Sequence, residues 1–269
     1  MSSPSSTYKL LSCTRYDPFL LSLNWNNNSD GTPSPFLLLR FHVDRLIDAA
    51  ERHAWAAAKA AISLDTVKAA CQELVDNAPE FASKPLKIRL LLDEAGRFSG
   101  AATVIAPLVS DPLISLTRTF DPSTEGLIFG PIYNIHIDTQ PTPSSIFTST
   151  KTTERTVYEA SRARRAKQTG IISDPDPDDI LLYNDDDLVT ESTICNVALY
   201  RDNRWLTPSA STGCLPGVFR RCLLELGRIH EDTSGELRIS SVKEGDWLLL
   251  FNGVAGCRLG RVGKWPAAI

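Results

Sequence analysis

Hydrophobic periodicity changes once along this 269-residue chain, and the change separates two kinds of structure. Over 42–61 and again over Leu64–Asp76 the apolar residues return at helical spacing, the second run opening at Ser63 as a helix start should. Residues 8–16, Leu86–Leu92 and 99–106 read as strands, the last two closing on the turn Asp93-Glu94-Ala95-Gly96. Between the first strand and the first helix, 22–35 is rich in Asn, Ser and Pro and is expected to be a flexible loop. Past 130 the pattern becomes one of short strands, at 132–138, 180–183, 188–190, 196–200 and 205–207, with one helix expected over 154–168 and Gly170 as its cap. The chain is therefore expected to be α+β. A small domain over 1–120 is followed by a linker at 121–130, marked by Pro122, Gly126 and Gly130, and by a larger domain over 131–269.

Composition narrows the function classes. Hydrophobic residues at 42% and charged residues at 22% are globular proportions. A net charge of −4 does not suit a nucleic-acid surface, and the one basic run, 162–167, fits a solvated helix face. No apolar stretch approaches membrane-spanning length. The six cysteines are scattered without Cys-x-x-Cys, so neither a disulfide framework nor a metal site is expected. The N-terminal Met-Ser-Ser-Pro-Ser-Ser is polar, and a cytoplasmic location is the expectation.

Two residues point to chemistry when taken as a pair. Lys151 lies in Thr-Lys-Thr-Thr-Glu-Arg, and Glu191 follows forty positions later in Thr-Glu-Ser-Thr-Ile-Cys-Asn. A lysine amine can form a Schiff base with an aldehyde cofactor, and a carboxylate can keep a pyridine nitrogen protonated. Either residue alone would be a surface charge in a chain with 28 Lys and Arg and 32 Asp and Glu. A candidate phosphate site accompanies them. Gly213-Cys214-Leu215-Pro216-Gly217-Val218-Phe219 reads as a tight turn opening a helix, with Pro216 at an early helical position and exposed amides that suit an anion.

These blocks resemble the fold-type IV pyridoxal-phosphate enzymes, the class IV aminotransferase family. His42-Val43-Asp44-Arg45-Leu46 is similar to the family's His-x-x-Arg-Leu; Glu191 carries its Glu-x-x-x-x-Asn spacing to Asn196, and Leu215-Pro216-Gly217-Val218 its helix start. The resemblance implies pyridoxal 5′-phosphate as cofactor and a larger C-terminal domain built as a pseudo-barrel of strands. It also implies a homodimer acting on a small molecule. By residue it implies Lys151 as the catalytic Schiff-base lysine, Arg45 on the phosphate, Glu191 on the pyridine nitrogen, and Asn196, Gly217, Val218 and Phe219 around the cofactor.

Within the family the pattern looks most like the 4-amino-4-deoxychorismate lyases, which release pyruvate and 4-aminobenzoate for folate synthesis. Arginine four residues after the lysine (Arg155) is a lyase feature. So is Phe219, which stands where transaminases commonly carry a threonine that gives its hydroxyl to the phosphate. Phe251-Asn252-Gly253-Val254-Ala255-Gly256 is similar to Thr-Asn-Ser-Leu-Arg-Gly, which adds Asn252 and Gly253 to the cofactor set; Gly253 and Ala255 depart from the lyase Ser and Arg. Arg15, Arg155 and Arg258 are the candidates for substrate carboxylates, Arg15 because it falls near the family's Glu-Thr-x-Arg strand. A class IV aminotransferase acting on amino acids or amines is the alternative.

Overall fold

A computed structural model describes residues 7–28, 30–81, 83–113, 131–169 and 178–263. The chain forms two compact units, one of residues up to Asp111 together with Thr150–Glu154, the other of Pro112–Ser149 and the residues from Arg155 onward. The linker expected at 121–130 and the cap at Gly170 lie outside the described residues.

The first unit is a three-stranded antiparallel sheet, β1 (Leu10–Tyr16), β2 (Leu86–Leu92) and β3 (Phe98–Val104), in the order β1-β2-β3. Strand alternation puts Leu86, Ile88, Leu90 and Leu92 on one buried face. They share a core with Leu46, Ala50, Val67 and Cys71 from helices α1 (Leu39–Arg52) and α3 (Leu64–Asp76). The start of α3 is written in its sequence, since Ser63 caps it and exchanges side-chain and backbone hydrogen bonds with Thr66.

Two expectations for this unit are corrected. The single helix expected over 42–61 is two, α1 and α2 (Ala56–Ala61), broken at Ala54, whose φ is 57°. Tertiary contacts overrule the alanine-rich pattern here. The Trp55 ring is buried and stacks on Tyr8 with centroids 5.2 Å apart, and the His53 ring nitrogens lie 2.8 Å from the Tyr8 hydroxyl and 2.8 Å from Thr150 Oγ1. Nor is the described part of 22–35 a loose loop. Buried Asn26 donates to the carbonyls of Ser34 and Phe36 and accepts from the Leu38 amide, which binds the segment to the start of α1.

In the second unit the strands are β4 (Tyr133–Ile137), β5 (Asp178–Tyr183), β6 (Val189–Ser192), β7 (Asn196–Arg201), β8 (Arg204–Pro208), β9 (His230–Asp232), β10 (Trp247–Asn252) and β11 (Gly256–Val262). They form one mixed sheet in the order β6-β5-β4-β11-β10-β7-β8-β9. Strand β6 ends the sheet, yet a tight turn joins it to β7 well inside the other half, so the sheet must curl on itself. Ile135, Leu181, Val189, Val197, Leu199 and Leu250 fill the curl, which is the barrel-like arrangement the family resemblance implies.

Sequence pattern names no strand beyond residue 207, but β10 and β11 lie centrally in this sheet. Leu248, Leu249, Leu250 and Phe251 are buried on both faces, so they show no alternation to read. Among the described residues the unit also contains the helices α4 (Ile146–Ser149), α5 (Thr156–Thr169) and α6 (Val218–Glu225). Pro216 is not in the first turn of α6 but two residues before it, and extended Gly217 is the N-cap.

Candidate active site

The residues singled out by sequence fall into two sets, one in each unit. In the first, Lys151 sits on a short extended segment added to the edge of β1. Its carbonyl accepts from the Leu11 amide at 2.9 Å, the Thr153 amide donates to the Lys9 carbonyl at 2.9 Å, and Leu10 and Thr152 bridge as an antiparallel pair. The backbone on both sides of Lys151 is thus held by a strand of the core sheet, a firmer mount than a loop gives.

Arg45 projects from the same face of α1 as His42, one turn earlier. Ser12 Oγ on β1 lies 2.6 Å from His42 Nδ1, and Arg45 Nη2 lies 3.3 Å from Ser12 Oγ. Arginine can only donate, and Arg45 Nη2 also lies 3.5 Å from His42 Nδ1, so Nδ1 is assigned as an acceptor, with Ser12 donating to it and the ring proton on Nε2. Nε2 is itself buried without a hydrogen-bond partner. Burial, followed by the charges of Arg45 and Lys151, holds His42 well below its ordinary pKa of 6.5, against a weaker opposite pull from Leu37. The two cations therefore bear on one neutral imidazole. Burial also brings the Arg45 guanidinium down to about 10, and among the described residues no carboxylate lies within ion-pair distance of it.

Arg15 has a different place. It is buried in an ion pair with Asp17 at 2.9 Å and donates to the Ala106 carbonyl, while Asp17 also accepts from the Leu108 amide. This arrangement fastens 106–108 to the end of β1.

In the second unit, Glu191 lies within β6, where all four residues are buried. Ser192 and Cys195 close the turn to β7, the Ser192 amide donating to the Cys195 carbonyl at 2.8 Å, and Asn196 opens β7. The Glu-x-x-x-x-Asn spacing is therefore a strand–turn–strand connection. Asn196 Nδ2 donates to the Leu215 carbonyl at 2.7 Å, and a Cβ on Gly217 would overlap Asn196 Oδ1, so only glycine fits this close approach. Helix α6 starts directly after, with no side-chain cap and no acidic residue in its first turn. Val218 and Phe219 are buried beneath it, and Arg220 ties it to the Pro208 carbonyl and to Glu231.

Asn252 ends β10 and accepts from the Val254 and Ala255 amides, shaping the turn that contains buried Gly253. Its Nδ2 lies 3.2 Å from Cys195 Sγ, which links that turn to the one carrying Glu191 and Asn196. Arg258 on β11 is half-buried, its guanidinium 5.7 Å from the centroid of the Tyr133 ring. Arg155 precedes α5, donating to the Thr193 carbonyl at 2.7 Å and lying 4.6 Å from the centroid of the Tyr158 ring.

Sequence reading misses three residues around these groups. The Tyr158 hydroxyl donates to Glu191 Oε1 at 2.7 Å, Asp179 accepts from Ser192 and Thr193, and Cys214 lies near enough to Glu191 to feel its charge. A tyrosine on a helix and an aspartate on a strand carry no signal until the elements are packed.

The family model described as amino-transferase class IV matches residues 24–261, and the chain belongs to that family. A Schizosaccharomyces pombe protein with the provisional name aminodeoxychorismate lyase is 41% identical over 125 residues, 45% of this chain and 51% of its own length. The Saccharomyces cerevisiae aminodeoxychorismate lyase is 32% identical over 197 residues, 65% of this chain and 51% of its own length. The chain thus spans about half the length of these relatives. A solved structure from Mesorhizobium loti, provisionally an amino-acid aminotransferase, shares the fold with a TM-score of 0.64 at 22% identity. It covers 95% of this chain and 99% of that one.

Proposed function

We propose that this chain is a pyridoxal-phosphate-dependent lyase that converts 4-amino-4-deoxychorismate into 4-aminobenzoate and pyruvate. The observation that carries the reading is the cluster around His42, where Arg45 and Lys151 put positive charge beside a neutral imidazole and Arg45 has no carboxylate among the described residues. Such a cluster suits a phosphate-bearing ligand. Three features of the second unit are assigned to the rest of the cofactor: the Gly217 cradle, a helix start without a side-chain cap, and a buried carboxylate at Glu191. The lyase names of the two relatives support the choice of substrate.

When bound, pyridoxal phosphate supplies a ring that takes up the electron pair left on a substrate carbon once its proton is gone. In the family's pattern Arg45 and the first turn of α6 would hold the phosphate, with Phe219 offering no hydroxyl to it. Asn196, Asn252 and Gly253 shape the walls of the cofactor site. Glu191 holds a proton on the ring nitrogen by opposite charge. Lys151 would provide the amine for the aldehyde and, once the substrate's own amine has displaced it, would hold at Nζ the proton taken from the carbon bearing that nitrogen. Arg155 and Arg258 orient the substrate carboxylates. Expulsion of the enolpyruvyl oxygen makes the substrate ring aromatic, so the protein's part is orientation and charge placement. The assembly is assigned as a homodimer, and the compartment as the cytoplasm, where thiols stay reduced.

Purified holoenzyme given aminodeoxychorismate should release pyruvate without converting its cofactor to the amine form, and Lys151→Ala should abolish the release. Conversion to the amine form by amino acids or arylalkyl amines, without pyruvate release, would favour the aminotransferase reading that the Mesorhizobium loti structure's name suggests. Inertness toward both kinds of substrate would refute either one.

A further inference from the structure

The contact between Tyr158 and Glu191 is not used by the reaction described above. Both side chains are buried, at 7% and 5% exposure. Burial by itself favours the neutral form of a carboxyl group, whereas a hydrogen bond donated to the carboxylate favours the charged form. The Tyr158 hydroxyl donates such a bond at 2.7 Å. Burial and then the charge of Glu191 push the phenol's own pKa far up, so it remains a proton donor at any physiological pH. The Cys214 thiol, raised to about 11 by burial and then by Glu191, likewise stays neutral and adds no competing charge.

The donor is also held in place. The Arg155 guanidinium lies 4.6 Å from the centroid of the Tyr158 ring and is anchored on the Thr193 carbonyl at 2.7 Å. Thr193 is anchored in turn on Asp179, which accepts from its amide at 3.2 Å and from its hydroxyl at 2.7 Å. Asp179 takes the Ser192 hydroxyl as well, at 2.6 Å, so one buried carboxylate fixes the residues that directly follow Glu191. Tyr158 and Glu191 are thus clamped from both sides by one connected set of bonds.

We propose that Tyr158 is a positioning residue for Glu191: its hydroxyl sets the carboxylate's orientation and keeps it ionised, and so keeps the proton on the cofactor's ring nitrogen. A carboxylate that accepts a hydrogen bond is a weaker base, so a proton shared with a pyridine nitrogen rests on the nitrogen. The inference rests on the reading that Glu191 serves that nitrogen, and the test separates the two.

Tyr158→Phe keeps the ring and its contact with Arg155 and removes only the donor. Native enzyme and the variants Tyr158→Phe, Glu191→Gln and the double variant are each loaded with pyridoxal phosphate carrying ¹⁵N in the ring. The ring-nitrogen resonance, the thermal midpoint, and kcat and KM are recorded for all four. Tyr158→Phe should shift the resonance toward the unprotonated position and lower kcat about ten- to hundredfold. KM should stay within about twofold of native. Adding Tyr158→Phe to Glu191→Gln should change neither resonance nor kcat further, because the hydroxyl acts only through the carboxylate. An unmoved resonance in Tyr158→Phe, or an equal loss of kcat in the Glu191→Gln background, would overturn the proposal. If Glu191→Gln itself leaves the resonance in place, the role given to Glu191 is wrong, and that outcome differs from both.

Discussion

Single residues here carry duties that their type does not announce. Gly217 is required because its Cβ would occupy the space of Asn196 Oδ1, the side chain that also holds the Leu215 carbonyl. Gly217→Ala should therefore break the Asn196–Leu215 bond and displace the start of α6. We expect a loss of about 1–3 kcal/mol in stability and of at least about tenfold in pyridoxal-phosphate affinity, read by urea unfolding and cofactor titration. His42 makes a prediction of a different kind. Its folded pKa is depressed, so above about pH 6.5 both states are neutral and the group has no effect. As pH falls below that value the unfolded chain binds a proton that the folded chain refuses, and stability drops by up to about 1.4 kcal/mol per pH unit. The groups facing the ring are Ser12, Arg45, Lys151 and the Leu37 backbone, none of which supplies a compensating carboxylate. His42→Gln should flatten the fall in unfolding free energy between about pH 6.5 and about pH 5 by roughly one proton's worth. An unchanged slope would show that His42 charges freely in the fold.

At the scale of elements, what the sequence reveals depends on whether the signal is local. The start of α3 is legible because Ser63 and Thr66 lie three residues apart and satisfy each other. The hairpin of β7 and β8 is legible because Asp202 and Asn203 tolerate the positive φ, 48° and 60°, that a two-residue turn needs. Lys151, Glu191 and Arg45 stand out through their motifs. The break between α1 and α2 is not legible, because alanine is a good helix former and the cause of the break is distant: His53 is held by Tyr8 and Thr150, and Trp55 by Tyr8. Tyr158 is hidden for the same reason, since its partner lies thirty-three residues away on β6. The break has a measurable cost. Ala54 is exposed and left-handed, a conformation worth about 1–2 kcal/mol against any residue with a Cβ. Ala54→Gly removes that cost without losing a packed side chain. It should raise the unfolding free energy by about 1 kcal/mol with turnover unchanged, and a drop in stability would place the strain elsewhere.

For the whole molecule, the informative fact is the path of the chain. It leaves the first unit after Asp111 and comes back for Thr150–Glu154 before leaving again at Arg155. The first unit is therefore incomplete until a segment some 140 residues from β1 in sequence has paired with it, as the Leu10–Thr152 bridge shows. Closing so long a loop costs entropy that nearby contacts do not offset, so this pairing should be among the last to form and the first to open. That returning segment carries Lys151. Its attachment rests on the Leu11 amide to the Lys151 carbonyl, the Thr153 amide to the Lys9 carbonyl, and the Lys9 amide to Thr153 Oγ1. Thr153→Pro deletes two of the three, removing the amide and the hydroxyl together, while the extended backbone it imposes on Thr152 is the one already present. The variant should lose about 1–3 kcal/mol in the first unit and at least about tenfold in turnover, because Lys151 is no longer held to β1. The buried Trp205 lies in the second unit, so its near-ultraviolet signal should remain. Thr153→Ser, which keeps the amide donor and the hydroxyl acceptor, should behave as native. Full turnover in Thr153→Pro would show that the pairing with β1 is not what places Lys151.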